Sequence, residues 1–578
     1  MNLQDLNRAA AALVAPLAGL TPDEAQSMLL RPPQSEMGDI GFPCFTLAKK
    51  LRKAPPAIAA EIAGQITAAE PFAKVAAIGP YVNFTYSVRA LSEISVKAAF
   101  ADGWGGSRAG AGKTVVIDYS SPNIAKPLAV HHIRSTMIGA ALARLYKAGG
   151  WKVITINHLG DWGTNFGQLM VAYKMAEAAG RNPQTDLDAQ LKLYVEFHQA
   201  AHENPALEDE ARAWFKKLED GDAETVRLWK IFVEESIKGL QKLYDRMNVK
   251  FDHYTGESFF NDKMDATRDR IAAKGILVPS EGAMVVELTD KGIDTPCLIR
   301  KSDGATTYAN RDLSAAEYRH AEYGFDKCLY VVANQQELHF RQIFSVLSKM
   351  GYAWAEGMEH VKFGMLSFAP GVFGDERTTG STRKGQIIFL DDVLTRAVEK
   401  ARQLIVDNAR DAEVTARADE LAETVGVGSV IFSEFMQRRQ KDVIFSWEKV
   451  LNMQGDSGPY LQYTHARLSS LVDKSRITPG AGDLSRLTSP LERGVMLALS
   501  AFPDAVAAAT AENEPSMIAE YMLDLCAAFN RMYADKKGHA VITEDAALTA
   551  ARVDLVAAVR ATVKAGLAFL GLGAPERM

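Results

Sequence analysis

Hydrophobic spacing divides the chain into regions. Residues 1 to about 105 mix apolar positions at helical spacing with one alternating β-branched and aromatic run, "YVNFTYS". This predicts an α+β unit, closed by the glycine-rich "ADGWGGSRAGAGK", which reads as a linker. From about 113 the pattern turns to strand, helix, strand: "TVVIDYS", the amphipathic "IRSTMIGAALARLYKAGG", then "KVITINH". About 38 residues separate the two strand starts, a spacing that suits a right-handed βαβ unit. A second unit follows as "KCLYVVA", "QELHFRQIFSVLSKMG" and "HVKFGML". Two such halves predict a doubly wound parallel sheet, with ligands beyond the carboxyl ends of its strands. Between them, roughly 165 to 300, charged helical patterns such as "ETVRLWKIFVEESIKGLQKLYDRMN" predict a helical insertion. After about 390 nearly every segment has helical period, which predicts an α-helical bundle.

Composition narrows the class. At 578 residues the chain is too long for one core and should form about three or four domains. Hydrophobic residues at 47% and charged residues at 24% describe a globular protein. A net charge of −6 neither advertises nor excludes a nucleic-acid partner, because local basic patches suffice for one. The four cysteines, Cys44, Cys297, Cys328 and Cys526, form no CxxC pair, so a disulfide framework or structural zinc site is not expected. The amino terminus lacks a basic stretch ahead of its apolar part, and no uncharged apolar run reaches the roughly 18 residues of a membrane span. A soluble cytoplasmic protein without a membrane partner is the expectation.

Candidate chemistry clusters where the first strand enters the first helix, in "SSPNIAKPLAVHHIRSTM". Such a loop offers free backbone N–H groups and the positive end of a helix dipole to an anionic group. Ser121 and Asn123 supply short polar side chains, Lys126 a cation, and His132 an imidazole at the helix start. In "SDGATTYANRDLSAAEYR", a helix beginning near Tyr308 puts Tyr308 and Asp312 on one face. A carboxylate beside a phenol can hold a cation, and a guanidinium favours planar two-point acceptors. Glu257 in "YTGESFF" and Gln336 in "ANQQELHF" are further polar candidates. The basic residues of "FGDERTTGSTRKGQ", Arg383 and Lys384, suit a phosphate-contacting loop or a solvated turn. The cluster "LAKKLRK" (Lys49, Lys50, Arg52, Lys53) is either a solvated helix face or an RNA backbone contact. No zinc, Walker A, GxSxG or GxGxxG pattern is present.

Together these stretches, with "PPQSEMGDIGFPCFTLAKKLRK", "INHLGDWGTNFGQLMVAYK", "KDVIFSWEKVLNMQGDSGPYLQYTHAR" and the terminal "GLGAPERM", resemble the arginyl-tRNA synthetases, which are class I aminoacyl-tRNA synthetases. The resemblance covers nearly the whole chain. It implies a Rossmann-type catalytic domain at 113–390 with its insertion at about 165–300. It also implies an N-terminal α+β domain at 1–105 on the tRNA elbow, and a helical anticodon-binding domain at 391–578. The implied reaction joins L-arginine to tRNA-Arg through an arginyl-adenylate, with ATP and Mg2+ as the substrate complex, no tightly bound cofactor and no resident metal. Members typically need bound tRNA before activating arginine, and a monomer is expected. By matching position, arginine contacts fall on Ser121, Asn123, Glu257, Tyr308, Asp312 and Gln336, and catalytic roles on His132, Lys126 and Lys384. The tRNA contacts fall on Lys49, Lys50, Arg52, Tyr460 and Tyr463, with Phe529, Tyr533 and Met578 as weaker candidates; aromatic faces suit base stacking.

Two ATP-site signatures depart from the family pattern. The His-Ile-Gly-His slot reads Ala129-Val130-His131-His132, so the first histidine is alanine and the glycine is histidine. Losing one donor to a developing charge typically costs about 100- to 1000-fold. The Lys-Met-Ser slot reads Thr379-Gly380-Ser381, without its leading lysine, a gap that many relatives fill with the lysine of "NIAK", here Lys126. Three readings follow: a synthetase with a rearranged ATP site and slow activation, a paralogue that binds tRNA or arginine without joining them, and one that activates arginine for another acceptor.

Overall fold

The computed structural model describes residues 2–124, 126–373, 378–379, 388–408 and 412–578. At the amino end, helices Leu3–Ala18 and Pro55–Gln65 accompany an antiparallel sheet of β1 (Ile40–Pro43), β2 (Phe72–Ile78) and β3 (Tyr81–Tyr86), in the order β1-β3-β2. The run "YVNFTY" is β3, the middle strand, with Val82, Phe84 and Tyr86 in the core. The glycine-rich stretch after it is fastened rather than a loose tether. Trp104 donates its indole N–H to Thr562 at 2.9 Å and packs on Phe502, so this "linker" is nailed to the carboxyl-terminal helices.

The central domain follows the predicted βαβ order. It runs β4 (Thr114–Asp118), helix His132–Ala148 and β5 (Lys152–Ile156), then the insertion, which holds β6 (Leu277–Ser280), β7 (Ala283–Val286) and β8 (Cys297–Arg300). After helix Tyr308–Tyr323 come β9 (Lys327–Tyr330), helix Glu337–Lys349 and β10 (Met358–His360). The four parallel strands lie in the order β10-β9-β4-β5. Successive residues of β4 feed two cores. Val115 and Ile117 join the cluster of helix His132–Ala148, while Val116 joins that of helix Glu337–Lys349. The two crossover helices therefore cover opposite faces, which explains why β4 reads as unbroken hydrophobic rather than alternating. Helix His132–Ala148 comes so close to its strand that a Cβ at Gly139 would sit 2.2 Å from the Tyr119 ring.

Three expectations change. The insertion is not helical throughout, because β6, β7 and β8 form an antiparallel sheet turned at Glu281-Gly282, both with positive φ, as a two-residue hairpin requires. "HVKFGML" is not one strand: β10 ends at His360, and the chain enters a second small sheet at β11 (Leu366–Phe368). There β11 lies between β12 (Thr378–Thr379) and β13 (Val443–Phe445), so a strand from the region read as helical completes the central part of the molecule. Beyond it stand helices Leu390–Asn408, Ala418–Ser433, Gly458–Ser475, Ser516–Ala534 and the long Ala546–Leu570. One stretch, Pro490–Ala511, passes for a membrane span by length and apolarity. It is two helices, Pro490–Ser500 and Phe502–Ala511, whose Val495, Met496, Leu499, Phe502 and Val506 are buried in the bundle.

Candidate active site

Strand order places the site. The first crossover leaves β4 toward β5 and the second leaves β9 toward β10, so the crevice between the ends of β4 and β9 is the topological switch point. A cleft of about 410 Å³ opens there, lined by Ser120 and Ser121 from β4, His131, His132, Arg134 and Ser135 from the next helix, Val331 to Ala333 and Gln335 beyond β9, and residues 363–366.

Its floor is held by short polar side chains. Ser120 and Ser121 both have positive φ, 69° and 46°, which is costly for residues with a Cβ and persists only where the surroundings enforce it. The enforcement is visible. The Ser120 N–H donates to Ser135 Oγ at 2.9 Å, and that hydroxyl donates to the Val331 carbonyl at 2.7 Å, stapling β4 to β9 through the helix between. Ser121 Oγ donates to Asp118 at 2.7 Å, and the other oxygen of Asp118 pairs with buried Arg319 at 2.8 Å. One wall is braced by Arg134, fully buried, which donates to the carbonyls of Gly364 and Lys441 at 2.9 Å each and pairs with Glu434 at 3.0 Å. Burial pushes the Glu434 carboxyl up to about 7, against the pull of Arg134.

At the helix start the surroundings set the protonation of His132. His132 Nδ1 lies 2.9 Å from the Ala129 carbonyl, an acceptor only, so Nδ1 carries the hydrogen and Nε2 is bare in the neutral ring. Burial first, and then the neighbouring His131 and Lys126, drive its pKa down to about 3. As it stands His132 donates only to its own helix turn, and its Nε2 can accept a hydrogen bond but not donate one. His131 has φ −65° and ψ −19°, ordinary helical values, so a residue with a side chain fits the backbone there without strain. Its exposed ring stacks 4.2 Å from that of His132 and takes up room at the cleft. Leu128 to Val130 pair with Ile388 to Leu390, and β12 pairs with β11, whose Leu366 lines the cleft. The described ends of the second signature segment are thus both anchored beside the first. Ser381 and Lys384 lie outside the described residues, and of Thr379 only the backbone is described. Lys126 Nζ sits 6.0 Å from the Tyr194 ring centroid of the insertion.

Next to the Ser121 end lies a cluster of carboxylates. Asp312, on helix Tyr308–Tyr323, takes a 2.6 Å hydrogen bond from His339 Nε2. Burial opposes its charge, but His339, and behind it His158 and Arg319, hold its carboxyl below the usual range. Glu257, at the start of a short 3-10 turn, is paired at 3.2 Å with Arg311 of the same helix as Asp312. Burial pushes Glu257 up to about 7, opposed by Arg311 and reinforced by Asp312 and Asp161. Tyr308 is 71% exposed at the helix start, one turn from Asp312, as its spacing predicts. Asn123 bridges to Gly160 and is exposed, and Gln336 is exposed at the start of helix Glu337–Lys349, whereas its neighbour Gln335 lines the cleft. Among the described residues no group of three or more His, Cys, Asp or Glu is placed to hold a metal ion.

On the carboxyl-terminal bundle, Tyr463 is 36% exposed with the Arg467 guanidinium 4.8 Å from its ring, and Tyr460 is half-buried, its hydroxyl accepting from Asn530 at 2.8 Å. Phe529 is fully buried, so it is a core residue with no face for a base, while Tyr533 stacked on it is half-buried. Met578 packs against the small cluster around Ala401 and Leu421. At the amino end Lys49, Lys50 and Arg52 are exposed; Lys50 donates to the Gly19 carbonyl at 3.1 Å, closing the first helix.

Sequence reasoning missed Arg311, His339, Asp118, Asp161 and Arg319. His339 had a signal, since "QQELH" places it three residues after Gln336 on one helix face. Arg311 adjoins Asp312 in "NRDL" and reads there as a solvated charge.

Known proteins cover the chain from end to end. Family models match in three blocks: an arginyl tRNA synthetase N terminal domain over residues 3–86, a catalytic domain of tRNA synthetases class I (R) over 95–447, and a DALR anticodon binding domain over 461–578. An arginine–tRNA ligase of Alkaliphilus metalliredigens is 42% identical over 568 residues, covering 97% of each chain. One of Clostridioides difficile is 43% identical over 565 residues, again 97% of each. The solved arginyl-tRNA synthetase of Thermus thermophilus superposes with a TM-score of 0.78 at 25% identity, over 99% of this chain and 100% of that one.

Proposed function

The chain belongs to the arginyl-tRNA synthetases of class I, and from that premise we propose that it joins L-arginine to tRNA-Arg at the expense of ATP, as an enzyme of translation in the cytoplasm. In the first step the arginine carboxylate attacks the α-phosphorus of ATP, giving arginyl-adenylate and pyrophosphate. In the second a terminal ribose hydroxyl of the tRNA attacks the adenylate carbonyl and AMP leaves. The observation that carries this reading is the pair of carboxylates, Asp312 and Glu257, half-buried beside the switch-point cleft. A guanidinium and an α-amino group need that much negative charge, and an aliphatic amino acid would leave it unpaired.

Arginine is held by Asp312 and Glu257, with Ser121, Asn123, Tyr308 and Gln336 as further contacts. The triphosphate, with its Mg2+, lies in the cleft toward His132, Lys126 and Lys384. Ala129 and His131 are the altered positions of the first signature, Thr379 and Ser381 those of the second. Because His132 Nδ1 is committed to Ala129, donation to a phosphate requires Nε2 to gain a proton, so nucleotide binding here is accompanied by proton uptake. The tRNA is held by Tyr460 and Tyr463 on the bundle and by Lys49, Lys50 and Arg52 at the amino end. The full-length match to ligases, anticodon-binding region included, favours tRNA as the acceptor over either paralogue reading. Charging of tRNA-Arg with labelled arginine by the purified monomeric chain tests this. ATP-dependent ester formation is expected, at a slow rate. Its absence at high enzyme concentration, with tRNA still bound, returns the reading to a binding paralogue.

A further inference from the structure

A pocket that recognises arginine contains an arginine of its own. Arg311 Nη1 donates to Glu257 Oε2 at 3.2 Å, and its Nη2 reaches Asn261 Oδ1 at 3.4 Å. The side chains of Arg311 and Glu257 are 10% and 16% exposed, so the pair is largely withdrawn from water. Glu257 Oε1 receives no hydrogen bond among the described residues. The neighbouring acid is arranged alike: Asp312 takes its bond from His339 through Oδ2. Each of these carboxylates thus has a resident basic side chain on one oxygen.

We propose that Arg311 is a positioning residue that keeps Glu257 ionised and aimed, so that Oε1 is presented as a fixed acceptor to the guanidinium of the substrate. The proposal rests on the reading of Glu257 as an arginine contact. A single carboxylate withdrawn from water beside other acids tends to take up a proton, and a protonated acid has lost the charge that attracts a guanidinium. The acids facing Glu257 are Asp312 from helix Tyr308–Tyr323 and Asp161 from the loop after β5. The basic groups are the Arg311 guanidinium on it directly, and the imidazoles of His339 and His158, which face Asp312. On its own segment Lys263 and Asp262 pair with each other. Among the described residues Arg311 is the one group bonded to Glu257 that opposes protonation, and burial leaves the carboxyl titrating at about 7 even so.

The test is the pH profile of the arginine dissociation constant, measured by calorimetry on the full chain between pH 6 and 8.5 for wild type, Arg311→Met, Arg311→Lys and Glu257→Gln. Wild type is expected to bind more tightly as pH rises through about 7. Arg311→Met should move that transition up by about one pH unit, weakening arginine about tenfold near pH 6, about fivefold at pH 7 and progressively less above it. It should also release a proton on binding, seen as an enthalpy that changes with the buffer. Arg311→Lys, which restores a cation, should return the profile toward wild type. A loss in Arg311→Met equal at every pH overturns the proposal, since it would mean that Arg311 touches the ligand or only supports the fold; so does an unshifted transition. Glu257→Gln separates the two failures. If it leaves the affinity unchanged, Glu257 is no arginine contact and the site reading itself falls. If it weakens binding and flattens the profile while Arg311→Met shifts nothing, only the role of Arg311 falls.

Discussion

The two halves of the site are built by different means. The side proposed to hold the amino acid is made of polar pairs: Asp312 with His339, Glu257 with Arg311, Asp118 with Arg319, each acid held by a resident basic side chain. The side proposed for the nucleotide is made mostly of backbone and small groups: Ser120 at positive φ, Ala129, and an imidazole whose Nδ1 is spent on its own helix turn. Fixed charges confer specificity, because a ligand lacking the matching charge leaves them buried and unpaired. Donors poised toward developing charge confer rate. The chain is dense in the first kind and sparse in the second, so selection of arginine and speed of activation should be separable by mutation.

The largest separation should come from Asp312→Asn. Removing a half-buried, hydrogen-bonded carboxylate that meets a ligand's charge costs toward the lower end of about 2–5 kcal/mol, so arginine kcat/KM should fall about 100-fold. The dissociation constant for ATP should stay within about twofold, since the fold and the cleft are untouched. An equal loss in both constants would show that the two sides are one unit and end the comparison.

The opposite change acts on the other side. Ala129→His combined with His131→Gly restores the donor and clears an exposed ring from the cleft. The backbone at His131 is ordinary helix, which glycine accepts, whereas Ala129 is buried and a histidine there must turn its ring toward the cleft. The rate of arginine-dependent pyrophosphate exchange should rise at least about tenfold, with the KM for arginine unchanged. No change in rate would mean that these positions do not limit activation, and that His131 already serves in place of the missing imidazole.

How much of this was legible follows from the range of each interaction. The paired βαβ units were readable because their signal is local: a hydrophobic period within each element and glycine at its end. The hairpin Leu277–Val286 was equally local and was missed, although "LVPSEGAMVV" holds two β-branched runs around a two-residue turn. Phe529 could have been placed in the core from its neighbours, since Met522, Leu525, Cys526 and Met532 mark the same inward stripe. By contrast, β13 joins β11 across 77 positions, and Arg311 meets Glu257 across 54. No period or motif encodes such pairings. The acids were proposed from their place in the family pattern, and their basic partners were not, because an arginine beside an aspartate on a helix looks like solvent-facing charge until the fold turns it inward.

The smallest effect is also the sharpest test of the contrast, because the two sides titrate with opposite sign. Burial lowers His132 to about 3, whereas the unfolded chain takes up that proton near the ordinary 6.5. Between those values the unfolded state holds more protons, so this side loses stability as pH falls. Glu257 is raised to about 7 from an ordinary 4.5. Across that window the folded state holds more protons, so the amino-acid side loses stability as pH rises; Glu434, also raised to about 7, adds to it. From pH 4.5 to 6.5 the contributions oppose one another and the wild-type slope is reduced. Single variants unmask them. Relative to wild type, Glu257→Gln should tilt the curve of unfolding free energy upward with pH, and His132→Asn downward, each by at most about 1.4 kcal/mol per pH unit. Urea unfolding at pH 5.0 and 6.5 reads both. Curves that stay parallel to wild type would mean that neither group changes its protonation on folding, and that the division between a charged half and an uncharged half has no thermodynamic expression.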